Sequence, residues 1–185
     1  MRFSTSSENT NMLDAEALDA LLQEISAGEQ GAFAQFYGAT RASVYSFALS
    51  ILKDPYDAED VLHDCYVAVW NNAAGYRTQG KPMAWLLTIA RNLCLQRLRE
   101  HQRRSDTPQE EWLRDLRDER GLSMEERTIL SMCLEQLTDQ ERQIVALHAV
   151  SGFKHREIAE LLELPLATVL SKYNRAMKRL KKQLQ

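Results

Sequence analysis

Phe153-Lys154-His155-Arg156-Glu157-Ile158-Ala159-Glu160-Leu161-Leu162-Glu163-Leu164-Pro165-Leu166-Ala167-Thr168-Val169 runs directly into Leu170-Ser171-Lys172-Tyr173-Asn174-Arg175-Ala176-Met177-Lys178-Arg179. Ile158, Leu161 and Leu162 fall on one helical face, and Ala159 is small enough to let a second helix cross closely over the first. Pro165 then breaks the run: proline cannot continue a helix, pushes Leu164 out of the α region, and is well tolerated where a new helix begins. Beyond it Val169, Tyr173, Ala176 and Leu180 recur at i, i+4, i+7 and i+11, so they face back toward the first helix. The pattern is a helix-turn-helix. Its second helix leaves Thr168, Ser171, Lys172, Asn174, Arg175, Lys178 and Arg179 on the outer face, short hydroxyls and an amide beside cations that suit base edges and phosphates. On this segment alone, a solvated helix hairpin is the competing reading.

Working outward, apolar residues recur at three and four throughout and alternating strand patterns are absent, so the chain reads as all-α. Leu13 to Ala27 forms one amphipathic stretch ending at Gly28. Ala32 to Leu52 forms a second, with Phe33, Phe36, Tyr37, Val44, Phe47, Leu49 and Ile51 as candidate core. Asp54-Pro55 supplies a cap and a proline at the first helical position of a third helix, expected to reach about Asn72. A loop from Ala73 to Lys81 precedes a long helix from Pro82 to about Arg104. Ser105 to Ser123 is charged, with only Trp112, Leu113 and Leu116 as apolar anchors, and reads as a flexible linker; one more charged helix of a single domain is the alternative. Met124 to Leu137 reads as a helix, and Thr138-Asp139-Gln140-Glu141 has capping-box spacing for the next one, which holds Ile144, Val145 and Leu147 and ends near Gly152. The expected organisation is a disordered tail at 1–11, a helical domain at 12–104, a linker at 105–123 and a four-helix unit with the helix-turn-helix at 124–185.

A net charge of −3 conceals segregation. Residues 1–90 carry 5 basic against 11 acidic side chains, 91–104 carry 5 against 1, 105–141 carry 4 against 11, and 142–185 carry 9 against 3. Two basic blocks separated by an acidic one mark two places that can meet a polyanion. No stretch approaches the run of about 20 apolar residues that a membrane span needs, and Met1 to Asn11 has no apolar signal core, so a cytoplasmic protein is expected. Cys65, Cys94 and Cys133 are odd in number and far apart, and His63 and Cys65, two residues apart on a helix, point in different directions. Neither a disulfide framework nor a metal site is expected, and no cofactor is implied.

Asp57-Ala58-Glu59-Asp60-Val61-Leu62-His63-Asp64-Cys65-Tyr66-Val67-Ala68-Val69-Trp70, followed by Trp85-Leu86-Leu87-Thr88-Ile89-Ala90-Arg91-Asn92, resembles region 2 of bacterial sigma factors. Glu141-Arg142 through Arg175-Ala176 resembles region 4 of the same proteins. Their order and the intervening linker resemble the two-domain extracytoplasmic-function group of the sigma-70 family, over about residues 12 to 182. The resemblance implies a non-catalytic subunit of RNA polymerase that directs promoter recognition and transcription initiation. It implies that Asp60, His63 and Asp64 dock on the clamp helices of the largest polymerase subunit and that the C-terminal domain meets the flap of the second largest. Relatives often carry Gln where His63 stands. Asp57, nearer the helix start, also fits a plain electrostatic role there.

For the minus 10 element the resemblance implies a surface of Tyr76, Arg77, Leu87, Thr88, Arg91 and Asn92 with the loop from Gly75 to Lys81. Capture of an unstacked base needs an aromatic platform, a polar group for the base edge and a cation for the backbone, and Tyr76, Asn92 and Arg91 offer these. Trp85 fits core better than platform. For the minus 35 element it implies Thr168, Leu170, Ser171, Lys172, Asn174 and Arg175 in the major groove, with Lys178 and Arg179 toward phosphates. Thr88 stands where many relatives have Arg, and Leu170 where they have a basic residue; Leu170 is left to touch a thymine methyl or pack on the preceding helix. An anti-sigma factor is the further partner implied. Two rival functions are weighed against this: a stand-alone helix-turn-helix regulator, and a nuclease using Asp57, Asp60 and Asp64 as metal ligands, which lacks a second convergent acid or base cluster.

Overall fold

A computed structural model describes residues 15–78, 80–104 and 137–183, and all regular structure among them is helical. The elements are α1 (Ala15–Ser26), α2 (Gln30–Leu52), α3 (Pro55–Asn72), a 3-10 turn at Ala73–Gly75, and α4 (Pro82–Arg104). After the gap come α5 (Asp139–Val145), a π-helical turn at Ala146–Val150, α6 (His155–Leu161) and α7 (Leu166–Gln183). The expected tail at 1–11, the linker at 105–123, the helix from Met124 toward Leu137 and Cys133 lie outside the described residues.

Local chemistry sets the boundaries. Lys53 leaves α2 in the left-handed conformation (φ 62°), its N–H bonded to the Leu49 carbonyl, and Asp54 then caps α3 by accepting from the N–H groups of Tyr56 and Asp57 at 2.8 and 2.9 Å. Pro55 occupies the first turn, where its missing N–H costs nothing. At the start of α5 the Thr138 hydroxyl accepts from the Glu141 N–H while the Glu141 carboxylate accepts from the Thr138 N–H, the reciprocal box that the spacing predicts. The helix expected to run on toward Gly152 widens after Val145 into a π turn, with the Ser151 N–H reaching back to Ala146. Gly152 follows at φ +70°, a conformation that costs glycine nothing and redirects the chain toward α6.

Packing follows the apolar stripes. Leu22, Phe36, Val44, Phe47, Val61, Cys65, Val69, Leu86, Leu87 and Cys94 are all but inaccessible to solvent. Of the residues expected in the core of α2, Phe36, Val44, Phe47 and Leu49 are buried, whereas Phe33, Tyr37 and Ile51 pack against the core from its edge. α2 is the central element. It packs against α1, α3 and α4, and also against α5 and the π turn, so the buried residues of the N- and C-terminal helices form one continuous cluster. Ile144, Leu147, Ile158, Val169 and Ala176 fill the C-terminal part of it.

Candidate nucleic-acid interface

α7 divides into two faces. Val169 and Ala176 are fully buried, with Tyr173 and Leu180 partly buried against the core, as the periodicity requires. On the other side Leu170 is 41 % exposed, and Ser171, Asn174, Arg175 and Lys178 are exposed, while Thr168 and Lys172 are half-buried. The turn before α7 is closed by the Leu164 N–H bonded to the Ala159 carbonyl, and the Pro165 carbonyl accepts from Thr168 and Val169. Ser171 donates its hydroxyl to the Thr168 carbonyl at 3.1 Å.

Arg179 stands apart from the other outer residues. Its Nη1 lies 2.7 Å from Oε2 of Glu141, a carboxylate that is 2 % exposed, so it ties α7 to the start of α5. Burial alone raises the Glu141 carboxyl, but the Thr138 backbone and hydroxyl and the nearby Arg179 and Arg175 guanidinium groups outweigh it and hold the group below the ordinary glutamate range. A second cluster stiffens the helix-turn-helix: the rings of His148, His155 and Tyr173 meet at 4.2–4.8 Å. Burial, and then the neighbouring His148, push His155 below the usual histidine value.

On the N-terminal side, Thr88 and Asn92 share an exposed face of α4 that continues through Gln96, Arg99 and Arg103. Arg99 and Arg103 extend the basic surface beyond the residues expected by resemblance, and their i+7 and i+11 spacing from Asn92 was available in the sequence. The Thr88 hydroxyl donates to the Ala84 carbonyl at 2.7 Å. Arg77 is exposed. Tyr76 is half-buried, its hydroxyl donating to Asp19 and its ring 4.9 Å from that of Trp85, so platform and indole form one unit. Arg91 is half-buried with Nη1 4.0 Å from Glu163 of the helix-turn-helix turn. Leu87 departs from expectation. It is fully buried, because Leu87, Ala90 and Cys94 form the i, i+3, i+7 stripe that turns α4 inward, and its side chain serves the core instead of the surface.

The acidic stripe of α3 has a partner that its own sequence does not reveal. Arg97 of α4 lies 3.2 Å from Asp60 and 4.0 Å from both Asp57 and Asp64, and His101 lies 3.2 Å from Asp57. Asp57 is buried within this group, whereas the Asp60 and Asp64 side chains remain 49 % and 55 % exposed. His63 is exposed beside them, and exposed Tyr56, Val67 and Trp70 give the same helix an apolar contribution at its surface. A face that mixes carboxylates with uncovered aromatic and aliphatic groups suits a protein partner better than a nucleic acid.

Cys65 and Cys94 are free and buried, and burial pushes both thiols up to about 12, which leaves them protonated and unreactive at neutral pH. Among the described residues no cluster of three metal-ligating side chains occurs, and no helix is long and apolar enough to cross a membrane.

Two family models match the chain, Sigma-70 region 2 over residues 36–104 and Sigma-70, region 4 over residues 127–180. The chain is 34 % identical to the ECF RNA polymerase sigma factor SigK of Mycolicibacterium vanbaalenii, over 89 % of its own length and 88 % of that protein. Among solved structures, CnrH in complex with the cytosolic domain of CnrY has the same fold, with a TM-score of 0.62 and 24 % identity over 91 % of this chain and 97 % of that one. The sigma factor RpoE in complex with the anti-sigma factor NepR from Bartonella quintana superposes with a TM-score of 0.61 and 24 % identity, over 82 % and 96 % of the two chains.

Proposed function

This chain belongs to the extracytoplasmic-function sigma factors of the sigma-70 family, promoter-recognition factors of bacterial RNA polymerase, and from that premise we propose how its surfaces divide the work. α7 enters the major groove at the minus 35 element. The observation that carries this assignment is the clean division of the helix, with Val169 and Ala176 fully buried and Ser171, Asn174, Arg175 and Lys178 exposed on the opposite side. Arg175 and Asn174 have the donor geometry for guanine and adenine edges, and Lys178 faces a phosphate. Leu170, exposed and unable to donate, is placed to meet a thymine methyl.

The exposed face of α4, with Thr88, Asn92, Arg99 and Arg103, together with Arg91, Arg77 and the Tyr76–Trp85 pair, takes the minus 10 element. Bases stack on flat aromatic rings regardless of sequence, and guanidinium groups hold the backbone. Asp60, His63 and Asp64, with Val67 and Trp70 beside them, dock on the clamp helices of the polymerase, and the C-terminal helices meet the flap. The protein performs no chemistry of its own and acts in the cytoplasm. The solved relatives CnrH and RpoE are each bound to a partner protein, and an anti-sigma factor that masks these surfaces is the antagonist we assign to this chain.

Run-off transcription on genomic DNA with core polymerase, with and without this chain, tests the reading. Discrete new transcripts sharing two upstream elements are expected. Transcription that is indifferent to the chain, with DNA binding retained, would favour a stand-alone regulator.

A further inference from the structure

Asp19 is out of place in the stripe it occupies. α1 turns Leu18, Leu21, Leu22 and Ile25 into the core, and among them stands an acidic residue only 6 % exposed. Burying a carboxylate is costly unless a donor meets it, and here the donor comes from 57 residues further along the chain, the hydroxyl of Tyr76. One turn later on the same face of α1, Gln23 donates from Nε2 to Oγ1 of Thr78 at 3.0 Å. α1 therefore grips the connecting segment on both sides of Arg77, which is itself exposed. Tyr76 is held from two further directions. Its N–H bonds to the carbonyl of buried Ala73 at 3.0 Å, and its ring lies 4.9 Å from that of Trp85 at an interplanar angle of 56°.

We propose that Asp19 is a positioning residue for capture of the minus 10 strand: through the Tyr76 hydroxyl it fixes the Tyr76–Trp85 pair and the neighbouring Arg77 in one arrangement before DNA arrives. The inference rests on the assignment of that pair to the minus 10 element, and goes beyond it by placing a determinant of the surface on α1, which contributes no residue to it. Asp19 is buried and takes no part in the contact itself. Side chains ordered in advance lose less freedom on binding, so the unstacked base meets a platform already built. The benefit is confined to single-stranded minus 10 DNA, because the minus 35 surface lies on α7 and owes nothing to this bond.

The test uses the full chain assembled with core polymerase and two probes built from a promoter found by run-off transcription. One is a forked template whose minus 10 non-template strand is single-stranded; the other is a duplex that carries the minus 35 element and stops short of minus 10. Asp19→Ala should lose roughly three- to tenfold in affinity for the fork and nothing for the duplex. Tyr76→Phe, which keeps the ring and removes the same bond from its other end with little risk to folding, should lose about as much on the fork. Asp19→Asn retains an acceptor for the hydroxyl and should keep most of the affinity. Asp19→Ala/Tyr76→Phe should be no weaker than either single variant, since both delete one bond. Fork affinity unchanged in Asp19→Ala and Tyr76→Phe but lost in Tyr76→Ala, additive losses in the double variant, or an equal loss on fork and duplex overturns the proposal. Tyr76→Ala binding the fork as well as the parent would instead sink the assignment of the Tyr76–Trp85 pair to the minus 10 element, and the positioning role with it.

Discussion

At the scale of single residues, charge placement decides which side chains are available for recognition. Arg175 is exposed on α7, whereas Arg179, one helical turn away, is committed to the buried Glu141. Arg175→Ala is expected to cost about 1–3 kcal/mol at one promoter position and to relax specificity there, while Lys178→Ala weakens binding about equally on every sequence and lowers the salt slope by about 1. Binding isotherms on a panel of single-base promoter variants distinguish the two, and an equal loss on specific and random DNA for Arg175→Ala would contradict the assignment. Arg97 offers a second test. Arg97→Ala removes the guanidinium beside buried Asp57 and should destabilise the fold by about 1–2 kcal/mol in thermal unfolding, a modest loss because the His101 ring remains 3.2 Å from that carboxylate. Released from Arg97, Asp60 and Asp64 should bind polymerase at least as well as before; a marked drop in polymerase affinity would show that Arg97 itself belongs to the contact. The outward positions of α7 were legible from period alone, since one helix meeting one neighbour obeys a simple stripe. Leu87 was not, because α4 carries Leu86 and Leu87 side by side in the core, and a helix packed on more than one side buries a broader face than a family motif conveys.

At the scale of elements, the join between α5 and α7 depends on Glu141. Its carboxylate completes the cap on α5, receives Arg179, and sits almost wholly out of solvent. Glu141→Ala should cost about 2 kcal/mol, from the lost cap and the broken ion pair together. The group also imposes a pH dependence. Because its folded-state value lies below the ordinary one, its contribution is complete above the unfolded glutamate value of about 4.3 and is lost as pH falls through the depressed folded value. Thermal unfolding measured from neutral pH downward should therefore fall less steeply below that point in Glu141→Gln than in the parent. Parallel curves would remove Glu141 from the account. The capping box itself was visible in Thr138-Asp139-Gln140-Glu141, since a cap is a contact between residues three apart. The Arg179 partner, 38 residues distant, was not.

At the scale of the whole molecule, α2 joins what the sequence divides. It packs against α1, α3 and α4 and against α5 and the π turn, so a cavity within it should be felt on both sides. Phe47→Ala, at a position with no exposure, should cost about 3–5 kcal/mol, and hydrogen exchange should show lost protection in α7 as well as in α3. Unchanged protection in α7 would mean that the halves unfold independently. The sequence by itself determined the helical class, the boundaries at Asp54-Pro55, Pro82 and Pro165, the helix-turn-helix and its outward face, and the family, because caps, proline breaks and apolar period are local and survive in any fold that uses them. Only the tertiary structure decided which charges are spoken for: Arg97 by the α3 acids, Arg179 by Glu141, Arg91 and Lys81 by Glu163 and Glu160. An ion pair depends on which remote helices meet and at what angle, and no spacing along the chain carries that information.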